Sequence, residues 1–380
     1  MRSSGLRVAL FSGNYNYTRD GPTQALNRLV RHLLDHGVAV RIYAPTTDRP
    51  AFQHTGDLVS VPSFALPGER GEYRLALGLP SAIRRDLQAF APNVLHLSAP
   101  DMLGHRAVSW ARARGIRRVA SLHTRFETYL QYYHAGALEP LLIGIQKRFY
   151  NRVDRVMPPA QSMAEIIRGW GVTTPVTIWS RGIDHDRFTP ARRDLAWRRD
   201  LGIADGEVAV GFLGRLVKEK GLDVFAQVMA ELRNRGVPVR GLVVGEGPAR
   251  EAFEREVPDA VFAGFQSGDD LGRAVASMDV FFNPSVTETF GNVTLEAMAA
   301  GVPVVAARAT GAVDLVEPGV TGFLVPPRDV EAYADAIARI VREPALRASM
   351  GEAGHHKAAG YRWDTASQAV LDVYRELADR

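Results

Sequence analysis

The stretch NPSVTETFGNVTLEAMAAG, residues 283–301, decides how the chain is read. It follows an apolar run, Val280, Phe281 and Phe282, that reads as a buried parallel strand. Pro284, Ser285, Thr287 and Gly291 then break the run, and Leu295, Ala299 and Ala300 open a helical pattern. Strand, loop and helix in that order make half of a βαβ unit. Open α/β sheets bind ligands at the carboxyl ends of their strands, where backbone N–H groups and the helix terminus favour anions and polyols. Two carboxylates fall there, Glu288 in the loop and Glu296 about one turn into the helix. Facing one crevice at different depths, each can accept paired hydrogen bonds from vicinal hydroxyls, worth about 1.5–3 kcal/mol per charged bond. That chemistry suits sugars and riboses. A first-turn carboxylate and a solvated loop charge would look the same locally, so the reading needs support from elsewhere in the chain.

The support lies upstream. Residues 208–213 read as a strand, GRLVKEKG at 214–221 as its loop and 222–233 as a helix; 241–244 is the next strand, with Gly245-Glu246-Gly247-Pro248 as its loop, and Val261-Phe262 leads to Gly264-Phe265. Strand and helix alternate as far as Val341, as a doubly wound sheet requires. Arg215 and Lys220 share the loop after the first of these strands and can point into the crevice of Glu288. An arginine fork with a lysine point charge can neutralise a diphosphate without a metal.

Residues 1–185 carry a separate copy of the architecture. Residues 6–11 form a strand, the pattern Leu26, Leu29, Val30, Leu33, Leu34 a helix that stops at Gly37, and 38–43 a second strand. The loop between holds Gly13 and Gly21 but no G-x-G-x-x-G, and no acidic residue closes the second strand, which disfavours NAD. Further strands are expected at 94–97, 119–122, 156–157 and 176–178. His123 ends one of them and is a site candidate, whereas His96 lies inside another and reads as a core residue. Residues 68–91, with Pro80, Ile83, Arg84, Arg85, Leu87 and Phe90, read as a basic amphipathic surface helix. An aromatic segment with Tyr129, Tyr132 and Tyr133 follows, and residues 138–153 are apolar and basic by turns, including Lys147, Arg148 and Arg152. We place the domain boundary near 185. Residues 1–185 would form an N-terminal acceptor-binding domain and 186–363 a C-terminal nucleotide-sugar domain, with a final helix over 364–380 packing back on the first. Asp184 and Asp186 make a D-x-D pair, but in a linker rather than at a cleft, and no metal site is expected.

Composition bounds the rest. The 380 residues, 46% hydrophobic and 23% charged, suit two soluble domains, and the absence of cysteine excludes disulfides and thiolate chemistry. No signal peptide and no run of roughly 20 apolar residues is read in the chain. Residues 1–185 hold 23 Lys+Arg against 13 Asp+Glu, while the remainder is acidic. A basic half suggests an anionic surface or acceptor. Nucleic acid is disfavoured because the arginines lack interleaved stacking aromatics.

GRLVKEKG at 214–221, VVGEGP at 243–248 and ETFGNVTLEAMAAGVPVVA at 288–306 resemble retaining glycosyltransferase family 4, and the likeness covers nearly the whole chain. SLHTRFETYLQYY at 121–133 and WSRGIDHDRF at 179–188 are similar to its GDP-mannose-dependent α-mannosyltransferases and its sulfoquinovosyl and glucuronosyl lipid transferases. The resemblance implies an α/β GT-B fold, two Rossmann-like doubly wound domains facing a cleft. By the same resemblance Glu288 holds the donor sugar's hydroxyls, Phe290, Gly291 and Asn292 meet sugar and phosphate through the backbone, and Glu296 binds the ribose. Arg215 and Lys220 hold the diphosphate, with Gly245 in a neighbouring donor-side loop. Phe265 borders the base, Gly13 lets the first loop approach the phosphates, and His123 meets the sugar near C6. One departure stands out: many relatives have Gly-Gly in the first loop, where this chain has Asp20-Gly21-Pro22-Thr23. The implied reaction is transfer of a hexosyl or hexuronosyl unit from a UDP- or GDP-sugar, with retention and without metal or other cofactor, to a lipid acceptor at an anionic membrane. The protein would then be cytoplasmic and peripheral on the inner face of the membrane. A polysaccharide or lipid-linked oligosaccharide acceptor is the alternative, and a nucleotide-sugar epimerase the competing enzyme class. A phosphorylase is disfavoured because none of the four lysines stands out as a pyridoxal carrier.

Overall fold

Short apolar runs buried on both faces cannot be satisfied as surface helices, and most of the strands here are such runs paired in parallel. The strands of the first half are β1 (Arg7–Phe11), β2 (Ala39–Ala44), β3 (Asp57–Ser60), β4 (Ser63–Ala65), β5 (Arg74–Ala76), β6 (Val94–Leu97), β7 (Arg117–Ser121) and β8 (Arg155–Met157). Six of them make a parallel sheet in the order β3-β2-β1-β6-β7-β8, while β4 and β5 pair antiparallel as a ribbon. The second half repeats the plan with β9 (Val208–Leu213), β10 (Val239–Val244), β11 (Val261–Gly264), β12 (Val280–Asn283), β13 (Val304–Ala307) and β14 (Gly322–Val325), ordered β11-β10-β9-β12-β13-β14. Both are doubly wound sheets. Each reverses strand order once, at β1/β6 and at β9/β12, and such switch points are where ligands of this fold class bind. The computed structural model describes residues 5–65, 74–132 and 136–379.

The chain divides into two units, one gathering the residues up to Glu127, Ala137–Gly182 and those from Trp363 on, the other built mainly of Ile183–Arg362. In the first unit strand alternation sends Val8 and Leu10 to one face, against Leu26, Leu29 and Leu33 of the helix Gly21–Asp35 and Val370 and Tyr374 of the C-terminal helix Trp363–Ala378. Ala9 and Phe11 face the other layer, with Leu87, Val108, Phe149 and Met163. In the second unit Val208, Val210 and Phe212 meet Phe225, Val228 and Leu232 of the helix Leu222–Asn234.

Several local expectations are corrected. Residues 74–76 are strand β5, and among the described residues the helix expected over 68–91 occupies Ser81–Phe90, with Pro80 at its N-cap. Pro80 cannot donate into a preceding turn, so the helix cannot extend backwards through it. Residues 68–73 of that expected helix, and Tyr133 of the aromatic segment, lie outside the described residues; Phe126–Tyr132 is helical. Residues 176–178 make only a single bridge, Val156 to Val176, instead of a closing strand. Pro158 and Pro159 follow β8 and offer no N–H to continue the ladder. The departure at Asp20-Gly21-Pro22-Thr23 is a helix start: Thr23 N donates to Asp20 Oδ1 (2.9 Å) and Asp20 N to Thr23 Oγ1 (3.1 Å), a reciprocal capping box with Pro22 in the first turn.

Candidate active site

In the second unit, loops from four adjacent strands meet at the carboxyl edge of the sheet, and glycine makes the approach possible. Gly245, at φ 142° after β10, lies so close to the loop after β9 that a Cβ there would sit 1.9 Å from the Gly214 carbonyl oxygen. Gly311, at φ 82° after β13, would place a Cβ 2.8 Å from the Phe290 carbonyl carbon and 3.1 Å from Glu288 Cβ. Any side chain at either position would push the loops apart.

The loop after β9 ends in a 3₁₀ turn, Lys218–Lys220, that the β12 loop clasps. The Glu219 carbonyl accepts from Thr287 Oγ1 (3.2 Å) and Ser285 Oγ (3.4 Å). This fixes Lys220 opposite Glu288, and its Nζ donates to Glu288 Oε1 at 2.5 Å, with both side chains partly buried. Lys220 and Glu288 are thus brought together. Arg215 lies in the same β9 loop with its side chain exposed.

Behind the β12 loop the helix Asn292–Ala299 begins from Gly291, which takes the left-handed conformation at φ 88°. Phe290 is buried and meets Tyr361 edge-on at 6.0 Å between centroids, so the turn into the helix is held from behind. Asn292 opens the helix and keeps some exposure. Glu296 stands one turn in. Burial pushes its carboxyl up to about 8; the Arg187 guanidinium opposes the shift and the Glu288 charge adds to it. At neutral pH Glu296 is therefore mostly protonated and offers an O–H, where two ionised carboxylates were expected. Phe265 follows β11 and is 65% exposed, a flat apolar face at the end of the neighbouring strand.

Gly13 and His123 belong to the first unit. Gly13 follows β1 at its switch point, and a Cβ on it would lie 3.1 Å from Asp101 Oδ2. His123, two residues beyond β7, is buried, and both of its ring nitrogens are bonded within the unit: Nδ1 accepts from Arg181 Nη2 at 3.0 Å, and Nε2 lies 2.8 Å from Ser121 Oγ. Burial, with Arg181 and His96 nearby, pulls its pKa well below the ordinary value. The sequence reading passed over Arg187, Gly311 and Arg181. Arg181 and Arg187 sit in the quoted segment 179–188, where the linker assignment hid them, and Gly311 lies in a Thr-Gly-Ala run with no motif of its own. Among the described residues no group of three acidic or histidine side chains could hold a metal ion, and no helix is long and apolar enough to cross a membrane.

Comparison with known proteins gives a consistent picture. Residues 19–187 match Glycosyltransferase Family 4, and residues 207–343 match Glycosyl transferases group 1. The GDP-mannose-dependent alpha-mannosyltransferase of Mycobacterium tuberculosis is 32% identical over 383 residues, covering 99% of this chain and 98% of that protein. A sulfoquinovosyl transferase of Arabidopsis thaliana is 29% identical over 374 residues, covering 96% and 72% respectively. Among solved structures, sucrose-phosphate synthase from Thermosynechococcus elongatus superposes with a TM-score of 0.82 at 21% identity, over 98% of this chain and 99% of that one. An Anabaena protein, HepE, in complex with UDP and glucose superposes with a TM-score of 0.75 at 20% identity, over 97% and 99%. At such identities the two structures speak for the fold alone.

Proposed function

The chain belongs to the family 4 glycosyltransferases, enzymes that transfer sugar from nucleotide sugars on a GT-B fold, and from that premise we propose that it moves a hexosyl or hexuronosyl unit to a membrane lipid acceptor with retention of anomeric configuration. The observation that carries the proposal is the Lys220–Glu288 pair at the sheet's carboxyl edge, next to the helix that bears Glu296. A cation beside a sugar-binding carboxylate is what a nucleoside diphosphate sugar requires at its junction of phosphate and hexose.

In this reading Lys220 and Arg215 take the diphosphate, and their charge stabilises the leaving group in place of a metal ion. Glu288 accepts from the sugar hydroxyls. Glu296 binds the ribose, the backbone at 290–292 meets sugar and phosphate, and Phe265 borders the base. Gly245 keeps the β10 loop close enough for its backbone to approach the phosphates, as Gly13 does in the first unit, where His123 meets the sugar. The departing diphosphate takes the acceptor's proton, so no enzymic nucleophile is needed. The lipid acceptor is supported by the helix Glu139–Tyr150, which exposes Leu141 (63%) and Ile145 (41%) on an element that also carries Lys147 and Arg148. Apolar side chains beside cations suit the surface of an anionic bilayer.

Thermal-shift titration against GDP- and UDP-sugars tests the donor, since a bound donor stabilises the fold with the logarithm of its excess over Kd. The product's anomeric coupling in NMR tests retention, and turnover in excess chelator tests metal independence. Inverted product, or activity abolished by chelator and restored by a divalent cation, would remove the corresponding part of the proposal.

A further inference from the structure

Five buried side chains from distant parts of the first unit form one hydrogen-bonded line: Arg181, His123, Ser121 in β7, His96 in β6, and Tyr374 in the C-terminal helix. Arg181 Nη2 lies 3.0 Å from His123 Nδ1; Ser121 Oγ lies 2.8 Å from His123 Nε2 and 2.8 Å from His96 Nε2; His96 Nδ1 is bonded to the Tyr374 hydroxyl, 278 positions away in the chain. Trp179 packs edge-on against both imidazoles, at 5.4 Å from His123 and 5.7 Å from His96, and beneath the Arg181 guanidinium.

The chemistry of one end sets the direction of both bonds to His123. A guanidinium only donates, so His123 Nδ1 must accept and the proton of a neutral ring must sit on Nε2. His123 Nε2–H then donates to Ser121 Oγ, and a neutral His96 bridges the Ser121 and Tyr374 hydroxyls, donating from one ring nitrogen and accepting at the other. The reverse direction fails, because Ser121 donating to His123 would leave that ring without a proton on either nitrogen. Protonating His123 would set an N–H against the N–H of Arg181.

We propose that Tyr374, His96 and Ser121 are positioning residues that, with Arg181, hold His123 as a neutral, Nε2-protonated ring with both nitrogens engaged, so that it meets substrate through its ring edge and transfers no proton. This rests on the reading of His123 as a residue of the sugar site. Among the described residues, the charges acting on His123 include those of Arg181 and His96, with Tyr374 behind His96. Burial lowers the pKa of His96 to about 3 and raises that of Tyr374 well above its ordinary value, in keeping with an uncharged line ending in one cation. The C-terminal helix thereby belongs to the site's machinery.

The test is long-range ¹H–¹⁵N imidazole NMR on the full chain labelled at histidine, with His123 and His96 assigned by single replacements. The expected spectra show both rings neutral across about pH 5.5–8, with His123 as the Nε2–H tautomer. Titration of either ring in that range, or the Nδ1–H tautomer at His123, would overturn the proposal without touching the donor-site assignments. Tyr374→Phe should keep a cooperative thermal transition, shift the His96 and His123 signals, and lower kcat by about tenfold at unchanged donor KM, the size expected when the partner orienting a functional histidine is removed. Unmoved signals or unchanged kcat in that variant would overturn the link. Full activity in His123→Ala would instead sink the sugar-site reading while leaving the wild-type tautomer result intact.

Discussion

Lys220 Nζ stands 2.5 Å from Glu288 Oε1 although 68 positions separate the two residues, and the clasp of Thr287 and Ser285 on the Glu219 carbonyl holds them there. The fold thus pairs a cation with a carboxylate at the carboxyl edge of the sheet. Donor binding would exchange this one bond for two, ammonium to phosphate and carboxylate to hydroxyl.

Removing a preorganised charged donor from developing phosphate charge typically costs about 10²–10³ in rate. Lys220→Ala and Arg215→Ala should each lose roughly that in kcat, measured with saturating donor. Unchanged turnover in both variants would defeat the diphosphate assignment.

Glu296 predicts a pH dependence of stability. Its folded pKa, about 8, lies above the unfolded carboxyl value, so the native state binds the extra proton in the window between them. Stability should therefore fall as pH rises from about 4.5 to 8 and level off above, and Glu296→Gln should flatten that slope in urea titrations. A variant with the parent's slope would show that another group titrates there.

Gly245→Ala should destabilise the second unit, because it adds a Cβ 1.9 Å from the Gly214 carbonyl oxygen at a backbone angle that alanine rarely adopts. The backbone strain alone costs about 1–3 kcal/mol, and the displaced β10 loop should abolish the donor-dependent thermal shift. A parent-like denaturation midpoint would contradict the packing described.

Leu141→Glu combined with Ile145→Glu should release the protein from liposomes rich in anionic lipid in a flotation assay, while leaving donor-induced stabilisation intact. Each change places a charge where an apolar side chain would be buried at the interface. Retention on the vesicles would move the membrane contact elsewhere, and failure of the parent to bind would favour a polysaccharide or soluble acceptor.

The second unit was legible in the chain because parallel strands buried on both faces read as unbroken apolar runs, and β9, β10 and β12 begin or end within two residues of their expected limits. Glu288, Lys220 and Glu296 could be named because each lies in a short loop or helix start fixed by its own neighbours. The first unit was harder to read. β3 and the β4–β5 ribbon carry weak, half-exposed patterns, and a run such as 74–76 satisfies helix and strand equally until a partner strand is known.

What the amino-acid order determined alone is the alternation of strand and helix, the loops that carry charge, and the family. Those follow from periodicity and glycine placement, which act within a few residues. What only the folded chain decided is electrostatic and relational: that burial raises the Glu296 pKa to about 8, that Lys220 is paired with Glu288, and that His123 meets an arginine 58 positions on. Desolvation and hydrogen-bond direction depend on which distant groups are packed together, and no window of sequence contains them.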